Sequence, residues 1–157
     1  MSEHLKYESE INSLKQFLFE DEFENRVNEF YDNVRNAIKL ENFISSVFIT
    51  CKGSSARSFI LNINKVIEIL EYDHLIRAFV NLKNDELAVY YFTRFLAEDL
   101  KINPYGILDT HPELIDAHAF VNKALPVVKI TLQESSEVPP EMDILLRRLK
   151  SQGAPML

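Results

Sequence analysis

The pattern in this chain best suited to covalent chemistry is Cys51-Lys52-Gly53-Ser54-Ser55-Ala56-Arg57-Ser58, a thiol and a guanidinium separated by five residues. It follows a possible strand and precedes a strong helical pattern. A second group, His111, Glu113, Asp116 and His118, has metal-ligand residue types. On a helix, however, His111 and His118 lie two turns apart, too far to share one ion. Glu113 is better placed to close a capping box with Thr110, and His118 falls on an apolar face with Leu114 and Val121. The aromatic run Tyr90, Tyr91, Phe92 and Phe95 has the composition of a binding platform but lacks interleaved basic residues, so it is assigned to the core.

The eight residues from Cys51 to Ser58 resemble the phosphate loop of low-molecular-weight tyrosine phosphatases and related arsenate reductases. In that loop, backbone N–H groups and a helix N-terminus bind phosphate and depress the thiol's pKa, while the arginine grips the oxyanion bidentately. The resemblance implies Cys51 as nucleophile, Arg57 as phosphate clamp and Ser58 as hydrogen-bond donor to the thiolate. The competing reading of the same residues is a buried structural cysteine followed by a serine-capped helix, and that reading is preferred.

The elements that would position these groups are mostly helical. Apolar residues recur at helical spacing through Tyr7, Ile11, Leu14 and Leu18, and again through Phe23, Val27, Phe30, Tyr31, Val34 and Ile38. Phe59, Ile60, Ile63, Val66, Ile67 and Leu70 mark the clearest helix, with Ser55 or Ser58 as its N-cap. Asp73 would cap a short helix through Leu82. Asn84 or Asp85 caps another through Lys101, apolar around most of its circumference and so expected at the centre, and Asn103-Pro104-Tyr105-Gly106 ends it. A helix follows from Thr110 to Leu125, where Pro126 is expected to break it. Segments 45–50 and 127–132 carry β-branched runs and are candidate strands. A loop over 135–140 leads into a last helix from Glu141 to Ser151, acidic first and basic last.

Composition narrows the classes. Three glycines stand where average usage would supply roughly eleven, so tight turns and phosphate-cradling loops are scarce and helices are favoured. Seventeen basic and 24 acidic residues give a net charge of −7, which disfavours nucleic acid as a partner. One cysteine excludes an internal disulfide, no apolar run reaches a membrane span of about 18 residues, and Met1-Ser2-Glu3-His4 does not open a signal peptide. The cytoplasm is the expected compartment.

The expected fold is all-α, a single domain over 1–157 with 152–157 frayed. The alternative is α/β with a small sheet. The expected function is non-enzymatic protein binding, as an adaptor, a chaperone-like partner or an inhibitory antagonist, with no cofactor, no metal and no membrane. Glu20, Asp21 and Glu24 form the candidate partner-binding face, suited to a protein with a basic surface. The alternative is a small thiol-dependent enzyme, a phosphatase or reductase, using Cys51, Arg57 and Ser58.

Overall fold

Val47, Phe48, Ile49 and Thr50, whose side chains suit a strand, lie on a helix enclosed by others. The computed structural model describes residues 8–18, 20–34, 39–51, 54–134 and 140–157. Among them ten α-helices form and no strand does. They are α1 (Glu8–Lys15), α2 (Phe23–Val34), α3 (Leu40–Cys51), α4 (Ser54–Leu61), α5 (Asn64–Ile69), α6 (Tyr72–Leu82), α7 (Glu86–Arg94), α8 (Pro104–Thr110), α9 (His118–Glu134) and α10 (Pro140–Ser151). A π-helical turn at Phe95–Asp99 extends α7, and a 3-10 turn at Pro112–Ala117 leads into α9. No described helix is long and apolar enough to cross a membrane. Tyr7, Ile38 and residues 135–139 of the loop expected over 135–140 lie outside the described residues, and Pro140 already opens α10.

The hub is α3, which packs on α1, α4, α6 and α7 and buries Phe43, Ile44, Val47, Phe48 and Cys51. Phe48 meets Phe92 edge-on at 5.1 Å, and Phe79 meets Phe92 at 5.5 Å. The strand expected at 45–50 does not form, and in the helix that replaces it both serine hydroxyls find backbone acceptors one turn back. Ser45 Oγ donates to Glu41 O at 2.7 Å and Ser46 Oγ to Asn42 O at 2.8 Å, so neither hydroxyl enters the core as an orphan.

The strand expected at 127–132 is likewise helix, since α9 continues through Pro126. A proline inside a helix removes a hydrogen bond and crowds the preceding turn, at a cost of about 3 kcal/mol. Pro126 lies on the exposed side, where water can satisfy the freed carbonyl. Val121, Ala124 and Val128 are buried on the other side, and α7 and α9 pack together. The α/β alternative is therefore overturned.

The single helix expected from Phe59 to Leu70 is two, broken at Asn62 and Ile63. Ile63 N–H bonds Ile60 O at 3.1 Å in a tight turn, and Ile63 itself takes extended angles (φ −104°, ψ 94°). The break resets the helical phase, so Val66 is fully buried while Ile67 is only partly so. Arg148 of α10 then caps α5, donating Nε to Leu70 O at 3.0 Å and Nη2 to Ile67 O at 2.6 Å.

Expected caps shift in three places. Glu71, not Asp73, caps α6 through a reciprocal box with His74. Thr110 donates back to Gly106 O and Ile107 O and so closes α8 instead of opening the next helix. Asn103, expected as a stop, also caps α8 by accepting from Tyr105 N–H at 3.0 Å. Asp85 caps α7 as expected, accepting from Ala88 N–H at 3.1 Å.

The tail over 152–157, expected to fray, is pinned along the start of α8. Asn103 N–H donates to Pro155 O at 2.6 Å, Leu157 N–H donates to Lys101 O at 2.8 Å, and Ile102 bridges Met156. Ala154 is buried beneath it. Lys101 turns the chain here with φ 57°, the left-handed region.

Candidate functional site

The residues singled out for thiol chemistry are held by helices that commit them elsewhere. Cys51 ends α3 and is 4% exposed. Burial pushes its thiol up to about 11, against a smaller lowering by the charge of Lys15. At neutral pH the sulfur therefore stays protonated, the opposite of an activated nucleophile.

Arg57 projects from α4 onto the π-helical turn. Its Nε and Nη2 donate to the two carboxylate oxygens of Asp99 at 2.9 and 3.1 Å, and Nη1 lies 2.5 Å from Glu98 Oε2. Arg94 reaches the same Glu98 at 3.4 Å. Two cations thus balance two anions, with the Glu98 side chain only 4% exposed. Burial alone would weaken the Arg57 guanidinium's hold on its proton, but the hydrogen bonds and charges of Asp99 and Glu98 outweigh it and raise its pKa. An oxyanion would have to displace both carboxylates. Ser58 is half-buried on α4.

Glu20 and Asp21 are exposed in the turn before α2, and Glu24 is exposed in the first turn of α2. With Leu18, Phe23 and Asn62 they line a shallow depression of about 330 Å³. Asn64 of α5 donates to Glu24 at 2.5 Å, which ties one carboxylate to the fold. In the His/carboxylate group, His111 Nδ1 sits 3.1 Å from Ile107 O and 2.9 Å from the Thr110 hydroxyl, and His118 is partly buried. Among the described residues no three His, Cys, Asp or Glu side chains gather as metal ligands.

The aromatic run assigned to the core divides between two faces of α7. Phe92 and Phe95 are fully buried against Phe48. Tyr90 and Tyr91 stay half-exposed, edge to face with ring centroids 5.0 Å apart. With Glu86, Leu87, Phe120 and Lys123 they line an open cleft of about 540 Å³ between α7 and α9. Lys123 pairs with Glu86 across it, and Arg94 lies 5.7 Å over the Tyr91 ring. Leu87 is 43% exposed, and along α9 from Phe120 the same side carries Val127 at 37% and Ile130 at 58%. The spacing Phe120, Lys123, Val127, Ile130 is that of one helix face.

The signal for this cleft was present in α7. A helix apolar around most of its circumference buries one side on the core and leaves apolar residues on the other, and only the neighbouring helix decides whether these are covered. Val127 and Ile130 carry no helical signal of their own, because the β-branched run of their segment suits a strand. No family model, curated protein or solved structure matches this chain.

Proposed function

We propose that this chain is a non-enzymatic protein-binding module that docks its partner in the cleft between α7 and α9. The observation that carries the reading is the apolar lining shared by two helices, exposed Leu87 with half-exposed Tyr90, Tyr91 and Phe120, with Val127 and Ile130 exposed further along α9. Isolated apolar residues on a surface need no explanation, but a contiguous patch on two adjacent helices does. Tyrosine and other aromatics at the centre with a charged pair at the edge is the usual make-up of an interface. The thiol alternative, by contrast, has a protonated sulfur and a guanidinium held by two carboxylates.

An adaptor, a chaperone-like partner and an inhibitory antagonist would all work through such a surface. The exposed carboxylates Glu20, Asp21 and Glu24 supply a second, electrostatic face that would speed the approach of a basic surface. A lone cysteine permits no internal disulfide, and we place the module in the cytoplasm.

A photo-crosslinking side chain at Tyr91, compared with one at exposed Glu10 of α1, tests the docking surface in the native host. Protein adducts should form from position 91 and fall sharply when Phe120 is changed to Asp. Equal yields from both positions would remove the cleft from the function.

A further inference from the structure

We infer that α10 and the tail over 152–157 form one strap, latched across the junction of α5 and α6, that lifts as a unit and frees that junction as a hinge. Leu70 ends α5 and Glu71 caps α6, and both take extended angles (φ −65°, ψ 130° and φ −122°, ψ 161°). Two extended residues are thus all that separates the helices. With six residues and no side-chain cap at its start, α5 is too short to hold its own direction.

One turn at the end of α10 sets the angle instead. Arg148 binds the carbonyls of Ile67 and Leu70 on the α5 side. Gln152, four residues on, works on the α6 side: its Oε1 accepts from Tyr72 N–H at 2.7 Å and its Nε2 donates to Glu71 Oε2 at 3.3 Å. Residues four apart share a helix face, so a single face straddles the hinge.

The turn after α10 couples helix to tail. Gly153 takes φ 94°, while Ala154 N–H reaches back to Leu149 O and Gly153 N–H to Lys150 O, both at 3.1 Å. These are the paired bonds of a Schellman turn. Beyond it Pro155 and Leu157 bind residues 101–103 through the backbone, so the strap is fastened at two separate places. Its underside is apolar, with Met142, Leu145, Leu146, Leu149 and Ala154 buried, and among the described helices α5 is the main neighbour of α10. The hub α3, by contrast, packs on four helices. An element held by few neighbours opens at lower free energy than the core.

Two amides report on the strap. Tyr72 N–H lies in the first turn of α6 and Asn103 N–H just before α8, where a helix supplies no acceptor of its own. Each donates to the strap instead, Tyr72 to Gln152 Oε1 and Asn103 to Pro155 O at 2.6 Å. Lifting the strap therefore unprotects both in one event and bares its apolar underside.

Native-state hydrogen exchange of the full chain at low urea tests this. Tyr72, Asn103 and the amides of α10 should share one opening free energy, lower and less urea-dependent than that of Phe48 in α3. Arg148→Ala, at the latch, should speed exchange of Tyr72 and Asn103 by the same factor, about tenfold, and Arg148→Lys by less. Gly153→Ala adds a methyl that meets no atom within 4 Å, so it strains the turn alone, and it should speed both amides too. If Arg148→Ala speeds Tyr72 but not Asn103, the two ends open independently and the strap is refuted. No change at either amide refutes the latch. Should the variants fail to fold, the wild-type measurement still decides: strap amides that open only together with Phe48, or Tyr72 exchanging faster than α10, overturn the inference.

Discussion

Arg57 and Asp99, 42 residues apart, are joined by two parallel hydrogen bonds of 2.9 and 3.1 Å, and the same guanidinium reaches the neighbouring Glu98. The π-helical turn presents two consecutive carboxylates to one cation. Removing that cation should be costly, because Glu98 would remain buried with Arg94 as its remaining cation, at 3.4 Å. Arg57→Ala should lower stability by about 3 kcal/mol in urea melts, and Arg57→Lys by less, since a lysine keeps the charge but not the fork. A loss below about 0.5 kcal/mol, the range of neutral surface changes, would show the quartet to be idle and Arg57 free for a ligand.

Cys51 gives a prediction in pH. Its thiol is raised from 9.0 to about 11 by burial, so the folded state holds this proton more tightly than the unfolded chain. The associated stability is fully present below the ordinary thiol range and is lost as pH rises through about 11. It amounts to about 3 kcal/mol. Tyr72, whose phenol is also raised by burial, titrates in the same direction. The readout is therefore the difference between wild type and Cys51→Ala, whose melts should converge as the solution is made alkaline. Iodoacetamide at neutral pH should label native Cys51 more slowly than the urea-unfolded chain. Labelling at equal rates would mean that the sulfur is open to solvent.

Gly106 owes its identity to the tail. A Cβ at this position would stand 2.5 Å from Pro155 Cβ and 2.7 Å from Pro155 Cγ, inside any real contact. Gly106→Ala should cost about 1–3 kcal/mol, as overpacking does. Pro155→Gly removes both atoms, so in the double mutant most of the cost attributed to Gly106→Ala should disappear. If the two losses simply add, the close approach is not the cause.

Helix positions were legible wherever the apolar period ran unbroken and a local cap agreed with it, as at Asp85 before α7. What stayed hidden was decided by partners distant in sequence. Whether 45–50 coils or extends depends on the helices that enclose it, and whether α9 survives Pro126 depends on which side meets α7. The Arg57 quartet needs a π-turn that no period announces. Ile67 shows the same limit within one element: its spacing from Ile63 places it in the core only if the helix is continuous. The break at Asn62 and Ile63 turns it partly outward. Leu96→Ala should therefore cost about 2–5 kcal/mol, whereas Ile67→Ala should cost clearly less. Equal losses would mean that the two-helix description is wrong.

Glu20, Asp21 and Glu24 test whether a charged face attracts partners without supporting the fold. All three are exposed, and like charges close in sequence gain nothing from one another. The Asn64 bond to Glu24 is exposed as well, so its loss should matter little to stability. Changing the three residues to lysine should leave the melting temperature nearly unaltered. If the face steers a basic surface, association of the partner crosslinked through position 91 should slow in low salt and become indistinguishable from wild type in high salt, with dissociation unchanged. Stopped-flow kinetics separates these quantities. An unaltered on-rate in low salt would remove this face from binding, while a large drop in melting temperature would instead give these carboxylates a part in holding the turn between α1 and α2.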